Sequence, residues 1–181
     1  MDAQGIISLL LERARAAQAE MEAFDQRQVD AIAREIAKTV YDSAEPFARM
    51  AVDETRMGVY QDKILKNRGK ARIIWNSIKG EKSIGVLERD ELTGITTVMR
   101  PVGVVGAIAP CTNPVVTPMC NAMFAIKGRN AIIVAPHPRA RRTNSLVLDD
   151  VRRRIRPLGA PEYAIQYIEE PTMELTTLLM K

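Results

Sequence analysis

The sequence predicts an α/β protein in three successive parts. These are a helical region over residues 1–82, an extended ribbon over 83–100, and half of an open, doubly wound parallel sheet over 101–181. Three observations carry this. Apolar residues recur at helical spacing through the N-terminal region. After Gly80 the period changes to short extended runs joined by a polar segment. From Pro101 onward, short β-branched apolar runs alternate with helical stretches, the order that builds parallel strands with crossover helices.

In the first helix Ile7, Leu10, Leu11, Ala14 and Met21 share one face. Asp25-Gln26-Arg27-Gln28 has the form of a capping box, and Val29, Ile32, Ala33, Ile36, Ala37 and Val40 follow as an amphipathic stripe. A third helix is expected from near Ser43, with Phe47, Met50 and Ala51 inward, ending at Gly58. A fourth is expected from about Asp62 to Ile78, stopped by Gly80, with Trp75 as a packing residue.

Ser83–Glu88 and Ile95–Arg100 are extended candidates, joined by a polar segment ending in Gly94. Such a ribbon is marginal alone and needs a surface to lie on. The alternative is a plain connector into the following strand, and the residues do not choose between the two.

Val102–Ala109 reads as a fully buried parallel strand. Cys111-Thr112-Asn113 breaks it, and Pro114 suits the first position of a helix, where a missing N–H costs nothing. Met119, Ala122, Met123 and Ile126 continue at helical spacing to Gly128, and Ala131–Ala135 is a second buried strand. In open α/β sheets ligands bind at the carboxyl ends of strands, which here would bring the turns at Asn113 and His137 side by side. Leu148, Val151 and Ile155 mark the buried side of an arginine-rich helix ended by Pro157 and Gly159. Ala164–Ile168 is a third strand and Thr172–Met180 a last helical segment. There is no G-x-G-x-x-G turn. Gly103-Val104-Val105-Gly106 lies in a strand and is read as close packing. A half-sheet ending this way leaves an unpaired edge, so the chain is expected to be the N-terminal part of a larger protein.

At 46% hydrophobic and 27% charged, the composition is that of a soluble globular chain, with no apolar run suited to a membrane. The N-terminus lacks the form of a signal peptide, and a cytoplasmic location is expected. Two cysteines, Cys111 and Cys120, and one histidine point to neither a disulfide framework nor a zinc site. The net charge is +4, and arginines cluster at Arg139, Arg141 and Arg142 and again at Arg152, Arg153, Arg154 and Arg156. Nucleic-acid binding is one reading of such a cluster. With aromatic residues at 4%, stacking platforms are scarce, and a solvated helix whose last-turn cations suit its dipole is the reading adopted.

The stretch PVGVVGAIAPCTNPVVTPMCNAMFAIKGRNAIIVAPHPRA, continued by GAPEYAIQYIEEPTMELTTLLMK, resembles the nucleotide-binding region of the CoA-acylating aldehyde dehydrogenases. These include the aldehyde half of bifunctional aldehyde–alcohol dehydrogenases and acylating sulfoacetaldehyde dehydrogenases. The resemblance implies a Rossmann-like sheet, NAD or NADP as cofactor, coenzyme A as co-substrate, and a small aldehyde, acetaldehyde or sulfoacetaldehyde, as substrate. It further implies homo-oligomers joined through the ribbon. Asn113 matches the asparagine of the family's Pro-x-x-Asn-Pro turn, whose side-chain amide donates to the aldehyde oxygen as negative charge develops. By spacing alone Asn113 would instead cap the helix after it.

Pro110, Cys111 and Thr112 would then line the nicotinamide side of the cleft. His137 and Pro138, in the acylating branch's Pro-His-Pro turn, would border the adenosine pocket. A turn histidine bonded to backbone is the alternative for His137. Where the wider superfamily carries a ribose-binding lysine, this chain has Ala135. The family's nucleophilic cysteine and glycine-rich turn are expected beyond residue 181, so Cys111, though beside a helix N-terminus, is not taken as the nucleophile, and the segment alone is expected to be inactive. A non-catalytic nucleotide-binding module or assembly subunit is the alternative function.

Overall fold

The computed structural model describes residues 2–181. Four helices come first: α1 (Ala3–Met21), α2 (Gln26–Asp42), α3 (Ala44–Thr55) and α4 (Tyr60–Ile78). The Asp2 carboxylate accepts from Gly5 N at 2.8 Å and starts α1. At α2 the expected capping box forms in both directions: Gln28 N donates to Asp25 Oδ1, and Asp25 N donates to Gln28 Oε1, each at 2.8 Å. The apolar stripe of α2 is buried at every position expected from the sequence.

The bounds of α3 and α4 differ from expectation. α3 stops at Thr55, not Gly58, because Arg56 turns left-handed (φ 57°), a C-terminal stop that more often falls to glycine. Gly58 (φ 78°) reverses the chain once more, and α4 begins at Tyr60 rather than Asp62. Trp75 is partly buried and packs against the main core.

The ribbon is present as β1 (Gly85–Arg89) and β2 (Thr96–Met99), antiparallel, with an irregularity between Val86 and Glu88. β2 is exposed at all of its positions.

Then follow β3 (Val104–Ala109), α5 (Val116–Lys127), β4 (Ala131–Pro136), α6 (Arg141–Ile155), β5 (Ile165–Tyr167) and α7 (Met173–Leu179). The strands pair in parallel in the order β3-β4-β5. Helices lie on both faces: α1 and α7 on one, α5 and α6 on the other, with α2 packed over α5 and α6. One apolar core runs from Ile7 in α1 through Ile132 and Val134 in β4 to Leu175 in α7.

Two expectations are corrected here. The segment Val102–Ala109 is not fully buried. Among the described residues only β4 has a strand on each side, and it is buried throughout; β3 is an edge strand there, with Ile108 53% exposed, and Val102 just before it is 83% exposed. Pro114 is also not the first residue of its helix. It sits in a turn in which Thr117 N donates to Asn113 O at 3.3 Å, and α5 begins at Val116.

Gly106 does serve close packing, since a Cβ there would meet Leu179 Cγ and O at 3.4 Å. Gly103 does not. It precedes β3 with φ 110°, and the Asn130 Oδ1 accepts from Val102 N (2.7 Å) and Gly103 N (3.0 Å), tying the entrance of β3 to that of β4. Most arginines of α6 stand in ion pairs: Arg141 with Glu170, Arg152 with Asp149, Arg153 with Asp150, and Arg154 with Glu35, Asp42 and Asp150.

Candidate active-site turn

Ala109 ends β3, and the chain must leave the sheet there. It does so through Pro110-Cys111-Thr112-Asn113, an exposed to half-buried turn that runs into buried Pro114 and Val115. β4 leaves the sheet at the same end through His137 and Pro138. The two exits are joined directly, because His137 N donates to Ala109 O at 3.0 Å. All six residues singled out from the sequence therefore lie on two adjoining turns at the carboxyl ends of β3 and β4, as parallel pairing requires.

The Asn113 side chain does not cap α5. No side-chain bond caps that helix at all. Its Oδ1 instead accepts from Lys66 Nζ of α4. A lysine ammonium has donors and no acceptor, so it selects the oxygen of the amide. Among the described residues no hydrogen bond is made by the Asn113 Nδ2–H₂ group.

One turn before Lys66, Lys63 Nζ donates to Thr112 O at 3.4 Å. Lys63 is only 6% exposed. Burial lowers the pKa of Lys63, and the neighbouring Cys111 sulfur opposes that shift. Burial also lowers the pKa of Lys66, with the Lys63 charge adding to it. The turn is thus held from behind by two cations in a partly dry setting.

Cys111 is free, with its Sγ 3.8 Å from Met57 Sδ. Cys120, also free, sits in α5, where burial pushes its thiol up to about 11 and makes it a poor nucleophile. His137 takes the backbone-bonded arrangement: its Nδ1 accepts from Arg139 N at 3.1 Å, which leaves Nε2 to face other partners. Arg139 donates in turn to Thr55 O at 3.3 Å, at the end of α3.

Sequence reasoning missed Lys63, Lys66 and Glu54. The lysines carried one signal. They stand three apart, the spacing that puts them on one helix face, and they flank Ile64 and precede Asn67, both buried. Glu54, which caps α6 from α3, left no local signal. Among the described residues no group of three or more His, Cys, Asp or Glu is placed to hold a metal ion.

Fold and site together define a half of a doubly wound α/β sheet with its polar turns gathered at the strand carboxyl ends. The chain belongs to the aldehyde dehydrogenase family, whose profile matches residues 5–181. It is similar to the acetylating succinate-semialdehyde dehydrogenase of Clostridium kluyveri, at 48% identity over 97% of this chain and 39% of that protein. Its fold is similar to that of an acetylating aldehyde dehydrogenase from Geobacillus thermoglucosidasius, with a TM-score of 0.95 at 37% identity, over 99% of this chain and 40% of that one. A Rhodopseudomonas palustris propionaldehyde dehydrogenase, solved with bound CoA and an acylated cysteine, matches with a TM-score of 0.79 at 30% identity, over 94% of this chain and 39% of that one. The chain spans about two fifths of the length of these relatives.

Proposed function

We propose that this chain is the N-terminal, cofactor-side part of a CoA-acylating aldehyde dehydrogenase, which converts a small aldehyde, CoA and NAD(P)+ to acyl-CoA and NAD(P)H. The observation that carries the proposal is the state of Asn113. Its oxygen is engaged by Lys66, its amide caps nothing, and it stands at the strand end where ligands of such sheets bind. A neutral donor of this kind suits an aldehyde oxygen that gains negative charge, because it donates without titrating.

The exposed Thr112 hydroxyl and the His137 Nε2 left over from the Nδ1 bond are the polar groups these turns would bring to a nicotinamide cofactor. The exposed residues Pro110 and Thr112 would border the nicotinamide, with Cys111 beside them, and His137 and Pro138 would border the adenosine side. The cofactor supplies the hydride acceptor. In this reading Asn113 binds and polarises the aldehyde oxygen, and the attacking thiol comes from elsewhere in the enzyme. The candidate substrates are acetaldehyde and sulfoacetaldehyde, to which the Clostridium relative adds succinate semialdehyde. The exposed ribbon, with Leu87, Val98 and Met99 on its surface, is proposed as the contact between copies.

The test is turnover of the full-length enzyme carrying this segment. Aldehyde and NAD(P)+ should yield NAD(P)H together with acyl-CoA when CoA is present. Release of free acid at the same rate with CoA omitted would exclude the acylating assignment.

A further inference from the structure

We propose that Lys66 is a positioning residue: its ammonium holds the Asn113 amide by the oxygen, so that the Nδ2–H₂ donors are presented for the aldehyde oxygen. This rests on reading Asn113 as the oxyanion donor.

The two ends of an asparagine amide are alike in shape. Oxygen and NH₂ are nearly the same size, and an unrestrained asparagine on an exposed turn can present either one. The oxygen in the cleft would repel a developing oxyanion, so half of the accessible orientations would be unproductive. Lys66 removes that ambiguity, because Nζ donates to Oδ1 and a protonated amine has nothing with which to accept from Nδ2. The bond is also charge-assisted. Drawing density toward Oδ1 makes the opposite N–H bonds better donors, so the cation acts through the amide as well as orienting it.

The support around Lys66 is built for this. Lys66 is half-buried, and one turn earlier Lys63 holds the neighbouring Thr112 carbonyl at 3.4 Å. Two adjacent side chains of α4 therefore grip two successive residues of the turn by their oxygens. A small pocket behind the turn is lined by Lys63, Lys66, Asn67 and Asn113. Asn67 Nδ2 is committed to Ala44 O at 3.2 Å and does not compete for the Asn113 amide. No carboxylate pairs with either lysine among the described residues. Surface lysines usually find one or stay in water, so one buried and one half-buried cation, neither paired with a carboxylate and both aimed at carbonyl oxygens of one turn, call for a reason.

The test is a double-mutant cycle in the full-length enzyme. Lys66→Met keeps the aliphatic stem and removes the donor. We expect it to lower kcat by about ten- to a hundredfold, the scale of a small misplacement of a reacting group. KM for aldehyde and for NAD+ should change less than about twofold, and Lys66→Arg, which keeps a donor-only cation, should retain most of the rate. In an Asn113→Ala background, Lys66→Met should have no further effect, because there is no amide left to position.

If Asn113→Ala lowers kcat but Lys66→Met does not, or if the two losses multiply, the positioning role is overturned and the donor reading stands. An unchanged kcat in Asn113→Ala overturns both. Should Lys66→Met fail to fold, the same idea is read in the unmodified protein by NMR. The side-chain amide resonances of Asn113 should shift with an ionisation below the 10.5 of an ordinary lysine. Resonances that stay flat through the alkaline range would overturn the proposal.

Discussion

Glu54 in α3 caps the N-terminus of α6 across 89 positions of chain: its Oε2 accepts from Thr143 N at 2.7 Å and from Thr143 Oγ1 at 2.5 Å, and its Oε1 accepts from Arg142 N at 2.9 Å. α6 has no cap of its own, since Ala140 stands at the N-cap position. A carboxylate there satisfies orphan N–H groups and meets the positive end of the helix dipole. Together with Arg139 on Thr55 O, it ties the exit of β4, where His137 lies, to the end of α3.

Removing that cap should be felt as stability. Glu54→Ala is expected to cost about 1–2 kcal/mol, the usual size for a lost cap. Glu54→Gln should cost less, since it keeps an acceptor while losing the charge. Urea midpoints of the three proteins would measure this; a Glu54→Ala midpoint equal to wild type would mean that water replaces the carboxylate at no cost.

Asn113→Ala in the full-length enzyme is expected to lower kcat by about 10²–10³, the typical cost of one oxyanion donor. The denaturant midpoint should stay near that of wild type, because Asn113 makes no capping bond to α5. A cap would have shown the reverse pattern, with about 1 kcal/mol lost in stability and a normal rate in the surviving fold. Measuring kcat and midpoint on one preparation separates the two.

Lys127 is buried in α5 and pairs with Asp30 of α2 at 2.5 Å. Asp30→Ala leaves that ammonium without its counter-charge and should cost about 3 kcal/mol. Lys127→Met fills the same volume without a charge, and Asp30 is better hydrated, so its cost should be clearly smaller. Equal losses from the two substitutions would show that the attraction, and not the stranded charge, dominates.

Cys120 carries a pH signature. The folded protein holds its thiol proton to about 11, whereas an unfolded cysteine releases it near 9. Between those values the unfolded state binds fewer protons, so stability is intact below 9 and falls as pH rises toward 11. Cys120→Ala should flatten that decline in thermal melts taken across the range. At pH 8 the thiolate fraction of Cys120 should be about a hundredfold below that of an ordinary thiol, one decade per pKa unit, and slow alkylation measured by mass spectrometry checks it.

The ribbon should make association depend on its exposed apolar residues. Val98 and Met99 stand next to each other on β2, and Leu92 at the tip is 99% exposed. Sedimentation should show self-association of wild type at micromolar concentration, and Val98→Glu with Met99→Lys should shift it toward monomer. A wild-type protein that sediments as monomer would remove the ribbon from the interface proposal.

Much of this was legible in the chain. The helical stripe of α2, its capping box and the βαβ order are local or periodic signals, and the structure realises them because burying one face of a helix or a central strand leaves few alternatives. The boundaries misread were those where no rule of composition operates. α3 ends on Arg56 in a conformation usually given to glycine, and Pro114 occupies a turn instead of opening α5. The apolar residues of β3 predict a buried strand, yet a strand's burial depends on its neighbours, and in the order β3-β4-β5 it has one.

The sequence by itself determined that the turns at Asn113 and His137 adjoin. Parallel strands leave the sheet on the same side, so the turns after Ala109 and Pro136 had to adjoin once those runs were read as neighbouring strands. Only the tertiary structure decided what each of those residues is free to do. Lys66 lies 47 positions before Asn113 and Glu54 lies 89 before Thr143, and no local spacing links either pair. Whether Asn113 caps a helix or offers its amide depends on which group takes its oxygen. Which group takes that oxygen follows from the packing of α4 behind the turn, where Lys66 reaches Oδ1.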